Sequence, residues 1–152
     1  MTLLGQAVTS LEDFVGQNAP AAVLLDLGDN GYAKFRFDPK SLEAFGAKVG
    51  LIKDNLTRKQ IYSVMYDNVK DEIFSGQQYL EIMKQHMATE TSPDILLDNC
   101  RSNIGACISA YIPEARSDYE SEQVFNLYID QIVPNLAEEE AKLVLVFISI
   151  HF

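Results

Sequence analysis

Residues 22–40 read A-V-L-L-D-L-G-D-N-G-Y-A-K-F-R-F-D-P-K, and within this stretch the chain changes from one periodicity to another. Residues 22–27 and 32–37 are apolar-rich runs of strand length on either side of Gly28-Asp29-Asn30-Gly31, where Asn30-Gly31 supplies the positive-φ residues of a tight hairpin turn. In the second run Ala33, Phe35 and Phe37 share one face while Tyr32, Lys34 and Arg36 share the other, the alternation of a half-buried strand. At Asp38 the pattern becomes helical. Asp38 is an N-cap, and Pro39 follows it at the first helical position, where a missing N–H costs nothing.

Downstream every apolar stripe has helical spacing. A short first helix ends near Gly46 or Gly50, and a second, capped by Asn55, carries Ile61, Met65, Val69 and Ile73 at intervals of four down to Phe74. Ser75 and Gln78 form an S-x-x-Q capping box for a third helix with Tyr79, Ile82, Met83 and Met87 on its apolar side. Thr91-Ser92-Pro93 opens a fourth, which runs through Leu97, Cys100, Ile104, Cys107, Ile108 and Tyr111 and stops before Pro113. A fifth, from about Ser117 to Val133, buries Val124, Phe125, Tyr128, Ile129 and Ile132 and ends at Pro134. A sixth follows Asn135, with Glu138, Glu139 and Glu140 in the first turn, where the helix dipole favours negative charge.

From the second helix on, starts recur about every 20 residues with short connections, which makes successive helices antiparallel neighbours. Pairs of about 40 residues are the period of stacked hairpins of the HEAT or armadillo kind. A closed bundle is the alternative; six unequal helices without a strict heptad favour the stacked array. The expected fold is therefore mainly α: a short N-terminal β-hairpin, then antiparallel helix pairs in an α-solenoid.

Composition excludes several function classes. With 47% hydrophobic and 22% charged residues over 152 positions, the chain suits one globular domain. Twelve Lys and Arg against 22 Asp and Glu give a net charge of −10, which repels phosphate backbones and anionic lipid, so nucleic acid is not an expected partner. The only long apolar stretch, residues 143–150, falls far short of the roughly 20 residues of a membrane span. Residues 1–6 show neither a charged n-region nor a long apolar core, so no signal peptide is visible and Asn55-Leu56-Thr57 reads as a helix start rather than a glycosylation site. Cys100 and Cys107, seven positions apart on one helix and therefore about 10 Å apart, read as free thiols, which fits a cytoplasmic setting.

No residue set reads as catalytic, cofactor-binding or metal-ligating. His86 and His151 lie 65 positions apart, so the i, i+4 histidine pair of H-E-x-x-H zinc hydrolysis is absent; His86 and Glu90 read as a helix-end contact. The acids and amide from Asp26 to Gly31 resemble the start of a calcium loop, but the twelfth place is Phe37 where a bidentate Glu is required. Both cysteines lie on the stripe facing the core, and Asp67, Lys70 and Asp71 read as a solvated helix ladder.

Two stretches carry a specific resemblance. Leu24 to Asp38, ending Tyr32-Ala33-Lys34-Phe35-Arg36-Phe37-Asp38, is similar to the L-L-x-N-x-x-x-x-Y-A-K-x-R-x-D segment of aminopeptidase N-type zinc aminopeptidases, which closes a small β-sandwich and leads into the helical C-terminal domain. Leu56-Thr57-Arg58 through Tyr62 and Tyr66-Asp67-Asn68-Val69-Lys70-Asp71 resembles that family's L-x-R-x-x-x-W-x-x-x-W-D-M-x-R-D helix, with tyrosine at both tryptophan places, Asn for Met and Lys for Arg. The resemblance extends over roughly residues 8–115.

It implies that residues 1–38 end a β-sandwich domain and that residues 39–152 are a truncated helical-repeat C-terminal domain. The implied function is that of a non-catalytic C-terminal fragment: the parent enzyme removes N-terminal residues from peptides with zinc held by a separate catalytic domain, and this part walls the substrate chamber. The partners so implied are that catalytic domain and the parent's peptide substrate. The apolar residues 143–152, left uncovered, would favour self-association. A stand-alone helical-repeat module binding a peptide or protein is the alternative.

Overall fold

The computed structural model describes residues 12–151 apart from Asp29 and Tyr32, with the side chains of Cys100, Arg101, Phe147, Ile150 and His151 outside the description. The described chain is mainly helical: α1 (Pro39–Lys48), α2 (Asn55–Lys70), α3 (Gly76–Met87), α4 (Pro93–Asp98), α5 (Gly105–Tyr111), α6 (Glu114–Leu127) and α7 (Glu138–His151). A wide π turn, Asn99–Ile104, joins α4 to α5 so that one rod runs between Pro93 and Tyr111; a second, Tyr128–Ile132, extends α6.

Several boundaries follow local capping chemistry. The Asp38 carboxylate accepts from the N–H groups of Lys40 and Ser41 at 3.0 and 3.1 Å, and Ser75 Oγ accepts from Gln78 N–H at 3.3 Å. The α2 cap is Asp54 rather than Asn55: its carboxylate takes the Thr57 N–H at 2.7 Å, and Asn55 becomes the first helical residue. Helix α2 also stops at Lys70, leaving Ile73 beyond its end and 45% exposed. Helix α6 starts three residues before the expected Ser117, because the extended Pro113 already serves as its N-cap residue. The Ser117 hydroxyl bonds back to the Glu114 carbonyl inside the helix.

No strand forms among the described residues. The two runs expected to pair as a hairpin direct their polar groups to helix side chains instead: Val23 N–H donates to Ser41 Oγ at 3.0 Å, and Gln60 Nε2 donates to the Asp26 carbonyl at 2.8 Å. Asp26 itself takes φ 55, and its carboxylate accepts from Gly31 N–H at 2.7 Å, closing the turn locally. The physical reason is that two strands alone are marginal without a third strand or a face to cover, whereas here the helices supply the apolar surface. Phe37 is buried, and Leu24 and Phe35 pack against the helical core.

The core follows the stripes. Ile61, Met65 and Val69 of α2 and Tyr79, Met83 and Met87 of α3 are buried, as are Ile104, Cys107, Ile108, Val124, Tyr128 and Ile132. Phe125, expected inside, is 37% exposed, since it lies on the flank of α6 away from Val124. Helices α2 and α3 pack on each other and on α5; α5 packs on α6; α7 packs on α4 and on both π turns. Where the start of α3 meets the end of α5, a Cβ on Gly76 would lie 2.9 Å from the Tyr111 carbonyl oxygen, so only glycine allows this backbone approach.

Candidate functional site

Three polar assemblies and one groove stand out on this framework. The first lies where the start of α2 meets the connection after α3. Arg58 grips Glu90 as a fork, Nε to Oε2 at 2.8 Å and Nη2 to Oε1 at 2.6 Å, with side chains 8% and 2% exposed. Its remaining donors reach the Ile52 carbonyl at 2.8 Å, the Lys53 carbonyl at 3.1 Å and Asn55 Oδ1 at 2.8 Å. Burial alone would push the Glu90 carboxyl up, but the bonds from Arg58 and from the Ser92 and Thr91 N–H groups hold it below the usual carboxylate range. Bonding to Glu90 raises the Arg58 guanidinium above its ordinary value.

The expected His86–Glu90 contact does not form. His86 Nε2 bonds the Gly46 carbonyl at 2.7 Å, tying α3 to α1, and Glu90 belongs to Arg58. His86, Arg58 and Glu90 line a polar cleft of about 280 Å³ with Gly50, Ile52, Lys53 and Thr89.

The second assembly is a clasp at the end of α2. Lys34 Nζ and Arg36 Nε both reach the Asp71 carboxylate, at 2.6 and 2.9 Å. The bond from Lys34, aided by Arg36, lowers the Asp71 carboxyl below its ordinary value. Lys70 does pair with Asp67 along the helix, but Asp71 leaves that ladder to hold the N-terminal segment. The third is Glu120, whose side chain is fully buried between α3 and α6. Burial pushes its carboxyl up, but the bonds from Gln77 at 3.0 Å and Lys84 at 2.9 Å, with Arg116 at 3.0 Å, outweigh it, and the carboxyl stays below the usual range.

Burial pushes the Cys107 thiol up to about 12 and raises the Tyr62 and Tyr79 phenols, so each stays protonated and inert at neutral pH. The hydroxyls of Tyr62 and Tyr79 have no partner among the described residues. Donors for zinc do not fit either: His86 Nε2 is committed to a carbonyl, Glu90 to Arg58, and no three His, Cys, Asp or Glu residues converge among the described residues.

The groove runs between α1 and α3 and encloses about 520 Å³, with Leu42, Phe74 and Ile82 among its apolar lining and Glu43 and Glu81 among its polar residues. No helix among the described residues is long and apolar enough to cross a membrane. Comparison of the chain with protein-family profiles, with curated proteins and with solved structures returns no match. These observations describe a mainly helical protein in which the buried Arg58–Glu90 pair and the Glu120 cluster join one part of the helical framework to another.

Proposed function

We propose that this chain is a non-catalytic helical segment of a zinc aminopeptidase of the aminopeptidase N type, with its helices stacked in a HEAT-like array. In that reading α2 with α3, and the α4–α5 rod with α6, are successive hairpins, and residues up to 38 are the closing strands of a β-sandwich that pair only beside the rest of that domain. The parent's separate catalytic domain holds zinc and removes N-terminal residues from peptides, in the cytoplasm, while this segment walls the substrate chamber.

One observation supports the reading above others. Lys34 and Arg36 come from the first resembling stretch, Asp71 ends the second, and the three meet in one clasp although they lie 35 to 37 positions apart. Two motifs that resemble a family's packing features therefore act as packing features here, on each other.

Full-length transcript sequencing of the locus tests it. An upstream reading frame encoding H-E-x-x-H, followed by a further glutamate ligand, supports the parentage; an in-frame stop upstream without that motif overturns it. The purified chain is expected to leave aminoacyl anilides intact with zinc added. Turnover that persists through repurification and disappears in His86→Ala would contradict the non-catalytic role. The second reading, a stand-alone module that binds a peptide or protein, is favoured by the open groove between α1 and α3.

A further inference from the structure

We propose that the groove between α1 and α3 docks a short segment of another protein that carries both Arg or Lys and large apolar side chains. Two helix faces form its walls: Leu42 and Glu43 look across from α1 at Glu81 and Ile82 on α3, and Ile73 and Phe74 close one end. At about 520 Å³ it has the size of sites that take small ligands or a few side chains. The apolar lining suits buried aliphatic or aromatic groups, and the half-exposed Ile73 is the kind of surface residue that gains from being covered.

The charge on the walls selects the occupant. Glu43 and Glu81, like most carboxylates among the described residues, are held by no Lys or Arg of this chain; Glu81 accepts the Gln77 amide, at 3.4 Å, and what sets these two apart is their place beside the apolar lining. Two uncompensated carboxylates beside an apolar floor focus negative potential, which attracts a cationic segment and repels an anionic one. A second copy of this chain, itself at −10, is repelled by the same field, as is an anionic lipid surface.

The backbone around the groove gives it a defined shape. Glu72 takes φ 59, a left-handed conformation uncommon outside glycine, and the turn it makes places Ile73 and Phe74 at the groove's end. The tip of the Ile82 side chain packs against Gly46, where an added Cβ would come within 2.8 Å of Ile82 Cδ1, so α3 touches α1 through this side chain. The groove is present whether or not a zinc domain precedes this chain, so the transcript test and the test below fail separately.

Fluorescence polarisation with a labelled hexapeptide alternating Arg and Leu tests the proposal, with a Glu and Leu hexapeptide as counterpart. Saturable binding of the first is expected, weakening as salt rises, with no binding of the second. The double variant E43K/E81K should weaken binding about tenfold, two exposed pairs being lost and replaced by repulsion. I73S should weaken it further. As a control, E138K/E139K makes the same change in net charge at the start of α7 and should leave binding unchanged. An equal loss in the control, an equal affinity in E43K/E81K or the absence of saturable binding would overturn the proposal. So would sedimentation showing a dimer of this chain that E43K/E81K disperses. Thermal melts of each variant establish that it is folded before its affinity is read.

Discussion

Replacing Arg58 by Met is the most informative single perturbation. Glu90 would keep the Thr91 and Ser92 N–H groups on Oε1, both at 2.9 Å, but Oε2 would lose the Arg58 Nε bond, leaving a charge whose side chain is 2% exposed without its counter-ion. The Ile52 and Lys53 carbonyls and Asn55 Oδ1 would lose donors at the same time. Breaking a buried pair from one side costs about 3–5 kcal/mol, against a total of about 5–15 kcal/mol for a typical domain. At roughly 2–4 °C per kcal/mol for a chain of this size, the melting temperature should fall by roughly 6–20 °C.

The double variant R58M/E90L should recover part of that loss, since removing both charges removes the stranded carboxylate as well. Urea unfolding followed by far-UV ellipticity suits the measurement, because the chain has no tryptophan. The pH dependence gives a second readout with a definite sign. The folded Glu90 carboxyl lies below its ordinary value of 4.5, so its stabilising contribution is present above that value and is lost as the pH falls through the folded pKa. The gap between wild type and R58M should therefore narrow on acidification, since the stranded carboxyl of R58M, without Arg58 to offset burial, takes up its proton at a higher pH than the paired carboxyl of the wild type. A loss under about 1 kcal/mol at pH 7 would mean that water screens the pair as it does at a surface, and the packing argument would fail.

The other predictions follow the same geometry. In D71N the clasp on Lys34 and Arg36 weakens, so trypsin should cut after these half-exposed residues faster while the melting temperature changes little; unchanged cutting would show that apolar packing alone holds the segment. Cys107, buried and with its thiol pushed up to about 12, should resist alkylation in native buffer and react only on unfolding, as site-resolved mass spectrometry would report. Helix α7 buries Val144 and Ile148 but exposes Leu143 and Val146 at 51% and 55%, so any self-association there should rise with salt, which shortens charge repulsion to about 8 Å at physiological strength. L143E/V146E should abolish it in light scattering, whereas a chain monomeric at every salt concentration would remove the case for that surface.

Local chemistry legible along the chain accounts for the helical class and much of its punctuation. Asp38 and Ser75 mark starts because a cap acts within three or four residues of its own backbone, Pro93 marks one because its fixed φ suits the first turn although Ser92 makes no side-chain capping bond, and the acidic run from Glu138 lies in a first turn for a similarly local reason. The interval of four along Ile61, Met65 and Val69 shows which face of α2 is buried, since helix geometry alone puts them on one side.

The polar partners, by contrast, depend on which distant segments pack together. His86 and Glu90 are neighbours at i, i+4, yet His86 bonds a carbonyl 40 positions away and Glu90 an arginine 32 positions away, because desolvation between packed helices rewards the partner that fills the interface rather than the one nearest in the chain. Asp71 leaves its helix ladder for Lys34 and Arg36 in the same way. The alternating run 32–37 carries the pattern of a strand but forms none among its described residues, since a ladder needs a second backbone beside it and here the Asp71 side chain of the helical part meets Lys34 and Arg36 instead. Periodicity reports which side of a segment is apolar; what lies against that side is set by the packing of segments far apart in the chain.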